Sequence, residues 1–138
     1  MNILENIPYM TIGAAAILTS NPFIFLLFAY FNMMLNNVLK DSIHQSRPKD
    51  CEPYLKKTYG MPSGHSQNVS FATAFVWFEM NRFQQMIFTL LVVTTMVQRV
   101  VTNCHTIPQV LAGVTVGTLF GFISYALVKE LNKRGVSV

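Results

Sequence analysis

The sequence predicts an all-α integral membrane helical bundle: about four transmembrane spans, plus a short N-terminal interfacial or re-entrant helix. Three observations carry that prediction. The 138 residues are 51% hydrophobic and only 12% charged, where soluble domains carry roughly 25% charge. The charges are also segregated. None occurs from Asn6 to Leu39, Thr58 to Phe78, Phe83 to Gln98 or Val100 to Val128, runs of 34, 21, 16 and 29 residues; a span needs about 20 mainly apolar residues. Finally, the breaks within and between the runs are rich in Pro, Asn and charge, as at Asn21-Pro22 and Glu79-Met80-Asn81-Arg82.

The first run exceeds one span, since 34 residues would reach about 50 Å as a helix against a hydrocarbon core near 30 Å. Pro22 supplies the break, because proline disrupts a helix interior. Tyr9 to Ser20 is then the short interfacial or re-entrant helix, and Pro22 to Val38 the first full span. His65 to Met80 is the second span. After the polar turn, Phe83 to Val101 returns as the third. Ile107 to Val128 is the fourth, with Lys129, Lys133 and Arg134 beyond it. Glu5 is the single charge before the first apolar run and residue 2 is Asn, so neither a cleaved signal peptide nor myristoylation is expected. The whole chain, 1–138, reads as one membrane-embedded domain.

Composition excludes several classes. A net charge of +4 from ten basic and six acidic residues gives too little charged surface for a soluble globule or a nucleic-acid binder. Two Cys are too few for a disulfide scaffold or a structural zinc site. No acidic cluster suits Mg²⁺ or Ca²⁺, so no metal or cofactor is expected.

The span order has a geometric consequence. The second and third spans go down and back, so His65 and Arg99 meet at one membrane face. Lys40 and His105 join them there. Polar groups at membrane depth are costly and signal function. Three patterns lie on that face: Lys40-x6-Arg47-Pro48, Pro62-Ser63-Gly64-His65, and Arg99-x5-His105 followed by Pro108-Gln109. Each alone has a plain reading: juxtamembrane charges, a helix-opening turn, a loop histidine. Together they suit a phosphoryl group. Lys40, Arg47 and Arg99 offer a point charge and two planar forks to phosphate oxygens. Ser63 sits where a helix N-cap belongs, and Gly64 lets backbone N–H groups approach an anion. Two imidazoles supply a nucleophile and an acid near neutral pH.

These residues resemble the type-2 phosphatidic acid phosphatase superfamily, whose pattern is Lys-x6-Arg-Pro, Pro-Ser-Gly-His and Ser-Arg-x5-His-x3-Asp. The resemblance covers residues 40–113. It implies that His105 is the nucleophile, forming a phosphohistidine, and that His65 protonates the leaving oxygen. Lys40, Arg47, Arg99, Ser63 and the Gly64 backbone would hold the phosphoryl group. The implied substrate is a membrane lipid phosphate or isoprenyl pyrophosphate, its tail in the bilayer beside an interfacial site.

The third motif departs from the pattern twice. Gln98 replaces Ser, a position that contacts phosphate in the family. Gln109 replaces the Asp that accepts a hydrogen bond from the nucleophile. In serine proteases the comparable Asp-to-amide exchange costs about 10⁴ in rate. The Gln109 oxygen can accept the same bond without the charge, so reduced activity is expected. On that view Gln109→Asp would raise activity. Asp41, Asp50 and Glu52 are on the right face to substitute for the carboxylate; Glu79 and Glu130 are on the wrong one, and Glu5 is unplaced. The alternative reading is a non-catalytic lipid-phosphate-binding or structural membrane protein that keeps the site's shape.

Four secondary expectations follow. Only 39 residues precede Lys40, fewer than three spans require, so a homodimer would cover the bundle's open side. Gly113, Gly117 and Gly121 form a small-residue stripe suited to close helix packing within the chain. Cys51 and Cys104 lie in loops of the same face and are read as free thiols, a disulfide being the minor alternative. Basic residues divide as Lys40, Arg47, Lys49, Lys56, Lys57 and Arg99 on the site face against Arg82, Lys129, Lys133 and Arg134 on the other. Discounting the three with chemical roles leaves no clear bias, and the resemblance points to an extracytoplasmic or lumenal active face.

Overall fold

The computed structural model describes residues 3–49, 51 and 58–135. Five α-helices follow a 3₁₀ turn at Ile3–Asn6: α1 (Ile7–Leu18), α2 (Pro22–Ile43), α3 (Gly64–Val76), α4 (Arg82–Val101) and α5 (Ile107–Lys133), with a second 3₁₀ turn at Trp77–Glu79. Local chemistry sets the boundaries. Pro22 opens α2 with its φ already helical. His44 ends α2 in the left-handed region, its N–H bonded to the Lys40 carbonyl. Asn81 and Gln84 cap α4 reciprocally: Asn81 Oδ1 accepts from the Gln84 N–H at 3.0 Å, and Gln84 Oε1 from the Asn81 N–H at 2.9 Å.

Chain direction alternates along the bundle. At one end the His65 ring bonds the Glu5 backbone. At the other, Glu79 Oε2 accepts from the Ser20 N–H at 2.8 Å. Thus α1 runs alongside α3.

Among the described residues three helices are long and apolar enough to cross a membrane: α2, α4 and α5. The expected span at His65 to Met80 forms the 13-residue α3 and its 3₁₀ extension, shorter than those three. The reason is position. Every α3 residue from Ser66 to Val76 except Asn68 is buried, so this helix faces protein and tolerates Ser66, Gln67, Ser70 and Thr73. The outer helices face outward with apolar side chains; Phe23 is 87% and Leu90 63% exposed. Polar residues inside and apolar ones outside invert the soluble pattern, as lipid requires.

The centre has two halves. Toward Glu79 it is aromatic: Phe25 stacks on Phe71 at 5.7 Å and meets Phe75 edge-on at 5.1 Å. Toward His65 it is polar. Asn32 Nδ2 donates to Asn68 Oδ1 at 2.8 Å, and Gln67 Nε2 donates to the Asn32 carbonyl and Oδ1, both at 2.9 Å. Asn36 Nδ2 donates to Gln67 Oε1 at 2.8 Å and to the Pro62 carbonyl at 3.3 Å. The glycine stripe is used within the chain, as expected. A Cβ on Gly117 would fall on the Gln67 carbonyl, and one on Gly121 would come 2.6 Å from the Phe71 carbonyl. So α5 lies backbone against backbone on α3, which fixes His105 and Gln109 relative to the Ser63 turn.

Candidate active site

The three motifs converge at the Glu5 end of the bundle. Lys40 ends α2's polar row, one helical turn beyond Asn36. A Cβ on Gly64 would lie 3.1 Å from Asn36 Oδ1 and 3.7 Å from Lys40 Nζ, so the amine reaches the Pro-Ser-Gly-His turn. Ser63 is fully buried. Its N–H donates to the Gln109 carbonyl at 2.9 Å and its carbonyl accepts from the Gln67 N–H at 3.0 Å. Ser63 does hold the N-cap position of α3, but its hydroxyl makes no cap bond. It accepts from Ser66 Oγ at 3.2 Å instead.

Arg99 and His105 are joined through the backbone. After α4 ends, Asn103 takes φ 52° and reverses the chain. The Arg99 carbonyl then accepts from the Cys104 and His105 N–H groups at 3.2 and 3.1 Å. That reversal is why five residues separate the pair. Arg99 is buried, yet its Nε has no hydrogen-bond partner; its Nη1 reaches Gln98 Oε1 at 3.5 Å. Gln98 Nε2 is equally buried and unpartnered. Unsatisfied buried donors are rare and costly. Two such donors on adjacent residues have the chemistry to bind an anion.

Arg47 is held more fully. Nε donates to the Thr58 carbonyl at 3.2 Å, Nη2 to Thr58 Oγ1 at 3.0 Å, and Nη1 to the Cys104 carbonyl at 3.2 Å and to His105 Nε2 at 2.8 Å. Gln109 Oε1 lies 3.2 Å from His105 Nδ1, so the amide takes up the bond expected of the Asp. Lys40, Arg47 and Arg99 are within electrostatic reach of both His65 and His105. Burial, aided by Arg47 and Arg99, pushes the His105 imidazole down to about 3, with the Gln109 bond partly opposing the shift. At neutral pH this ring is uncharged.

The carboxylates fall as expected where they are described. Asp41 is exposed at the end of α2, Glu79 bonds Ser20 at the far end, and Glu130 pairs with Arg134 at 3.0 Å. Asp50 and Glu52, with Lys56 and Lys57, lie outside the described residues. Glu5, unplaced from sequence, is at the site through its backbone. Among the described residues no group of three His, Cys, Asp or Glu side chains could hold a metal ion. Cys51 and Cys104 are buried free thiols. Burial and the neighbouring Cys104 push the Cys51 thiol up, which keeps it protonated and unreactive. Beside the site, an apolar groove of about 380 Å³ runs along α4, lined by Leu4, Val93, Val97, Gln98 and Val101.

Sequence reasoning missed Asn36, Gln67, Gln45 and Gly60. Asn36 was the most legible, being one helical turn before Lys40 and therefore on its face. Gln67 follows His65 by two residues, a spacing that signals nothing in a helix. Gln45 and Gly60 act through loop contacts that leave no periodic trace.

Known proteins resemble this chain in sequence and fold. The chain is 30% identical to dolichyldiphosphatase of Saccharomyces cerevisiae over 76% of its length and 51% of the yeast protein's. It is 34% identical to dolichyldiphosphatase 1 of Dictyostelium discoideum, covering 73% and 49% of the two chains, and 32% identical to lipid phosphate phosphatase gamma of Arabidopsis thaliana, covering 65% and 46%. It therefore spans about half the length of the curated relatives it matches. The crystal structure of the first transmembrane PAP2-type phosphatidylglycerolphosphate phosphatase from Bacillus subtilis shares the fold, with a TM-score of 0.75, 22% identity, and coverage of 94% of this chain and 76% of that one. The family pattern itself matches residues 21–133, from the start of α2 to the end of α5; the chain is an integral membrane protein and belongs to the PAP2 superfamily.

Proposed function

We propose that the chain is a phosphatase for a lipid diphosphate of the isoprenyl class, working without a metal through a phosphohistidine at His105. One observation carries the reading: a buried neutral imidazole, oriented at Nδ1, beside a buried guanidinium whose Nε has no partner. That combination suits a nucleophile beside donors for a phosphoryl oxygen.

His105 Nε2 attacks the terminal phosphorus, forming the N–P bond as the P–O bond to the leaving group breaks. Arg47 Nη1 transfers from the Nε2 lone pair to a phosphoryl oxygen. Arg99, Lys40 and the N–H groups around Ser63 and Gly64 take the others. Such fixed donors are worth most in a water-poor site. His65 has one ring nitrogen engaged by the Glu5 backbone, and burial, Arg99 and Lys40 disfavour its imidazolium in the free site; the negative charge of the bound diphosphate offsets those cations, so the ring takes up a proton on binding and gives it to the leaving oxygen. Water then attacks phosphorus, the N–P bond breaks, and His65 recovers a proton from that water.

The substrate class draws support from two relatives named dolichyldiphosphatases. The apolar groove beside Gln98 gives a tail somewhere to lie. Phosphate release from farnesyl diphosphate and from phosphatidic acid, with a chelator present, tests the reading. Release abolished in His105→Ala supports it. No release from either lipid by wild type, with the lipid still bound, would favour a binder that retains the site's shape.

A further inference from the structure

The Gln109 amide makes four hydrogen bonds, and two backbone partners fix which way it faces. The Thr106 N–H can only donate, so the atom 3.1 Å from it is Oε1. The Ser46 carbonyl can only accept, so the atom 2.9 Å from it is Nε2. His105 Nδ1, 3.2 Å from Oε1, is therefore the protonated ring nitrogen, and Nε2 keeps its lone pair. On its other side the amide donates to Gln45 Oε1 at 3.1 Å. Gln45 and Ser46 immediately precede Arg47, which touches the His105 lone pair.

Gly60 makes room for this amide. A Cβ there would lie 2.6 Å from Gln109 Nε2, 2.7 Å from Oε1 and 2.8 Å from Cδ. The Gly60 N–H also donates to the Gln45 carbonyl at 2.7 Å, closing the loop between them. Oxygen and nitrogen of one side chain thus hold the nucleophile and the arginine loop together.

We propose that Gln45, Gly60 and Gln109 form an amide clamp that positions Arg47 on His105, and that the site is built for a neutral side chain at 109. The catalytic part of this proposal rests on the phosphatase reading above. An aspartate at 109 is one methylene shorter and has no hydrogen to donate. Its carboxylate would face the Ser46 carbonyl, which can only accept, and would leave Gln45 Oε1 without its donor. A glutamate reaches as far as glutamine but presents the same mismatch. On this proposal Gln109→Asp lowers activity, the opposite of the expectation from the family pattern.

The test uses the purified full chain in lipid nanodiscs with farnesyl diphosphate. Loss of a buried, geometry-setting hydrogen bond corresponds to about tenfold. Gln109→Asp and Gln109→Glu should each lower kcat by about tenfold or more. At the exposed Gln45, Gln45→Ala should lower kcat by about threefold, the mild effect of a surface bond. Gln45→Glu, which keeps the acceptor, should recover most of that loss. Higher kcat/KM in Gln109→Asp overturns the proposal. If Gln109→Asp does not fold, the Gln45 pair decides, and equal loss in both Gln45 variants overturns it. Imidazole ¹⁵N shifts read the clamp without turnover. Wild-type His105 should show a protonated Nδ1 and a bare Nε2; the opposite tautomer overturns the clamp whether or not the protein hydrolyses anything. Failure of hydrolysis with the expected tautomer would sink the phosphatase reading and leave the clamp geometry standing.

Discussion

Arg47 Nη1 lies 2.8 Å from His105 Nε2, so a guanidinium covers the lone pair that would attack phosphorus. In the proposed mechanism, substrate draws that group onto itself before the ring reacts. Arg47→Lys keeps the charge but loses the fork that spans Thr58, Cys104 and His105. It should weaken vanadate inhibition by about tenfold, the scale of one charge-assisted hydrogen bond. Vanadate affinity unchanged in Arg47→Lys would mean that the fork does not reach the anion.

His105 should titrate far below a free histidine. The groups facing it are Arg47, Arg99 and Lys40, which disfavour its protonation, and Gln109, which favours it. With the folded pKa about 3 and the unfolded one about 6.5, the unfolded chain binds more protons between those values. Stability from this ring is therefore complete above about pH 6.5 and declines as pH falls toward 3. An NMR titration of ligand-free protein should show no His105 midpoint between pH 5 and 8; a midpoint near about 6.5 would contradict the buried, cation-flanked geometry.

The helix contact that registers the site should be intolerant of one methyl group. In Gly117→Ala the new Cβ would fall on the Gln67 carbonyl, which is backbone and cannot swing away. A cost of about 1–3 kcal/mol is typical of overpacking. Gly13 on α1 has nothing within 4 Å of a built Cβ, so Gly13→Ala should be neutral or mildly stabilising. Thermal unfolding in detergent compares the two. Equal melting points would show that α3 and α5 are not in backbone contact.

Asn36 links the buried amide row to the Pro62-Ser63-Gly64-His65 turn through the Pro62 carbonyl. Asn36→Leu strands the Gln67 oxygen and that carbonyl without a donor. It should cost about 1–3 kcal/mol and lower activity by loosening the turn. Full activity in a folded Asn36→Leu protein would remove the row from any positioning role.

Much of this was legible because lipid makes charge placement informative. Charge-free runs located α2, α4 and α5, and the down-and-back order brought Lys40, His65, Arg99 and His105 to one end. What stayed hidden depends on partners. The polar residues of α3 gave no sign that this helix is sheathed by others, so it read simply as a second span. The short first helix gave no sign that it would lie along α3. The partners of the Gln109 amide were not legible, because the Ser46 carbonyl and the glycine at 60 become its neighbours only in three dimensions. The Ser63 hydroxyl read as a cap because cap position is local, whereas its bond to Ser66 depends on the rotamer chosen within a packed turn.

The central claim is that His105 takes the phosphoryl group. Turnover of farnesyl diphosphate quenched in alkali, followed by mass mapping of the chain, tests it directly. The expected result is a phosphoryl group on His105, absent in His105→Ala and accumulating in His65→Ala if water attack is slowed there. Continued hydrolysis in His105→Ala, or a phosphoryl group trapped on another side chain, would contradict it.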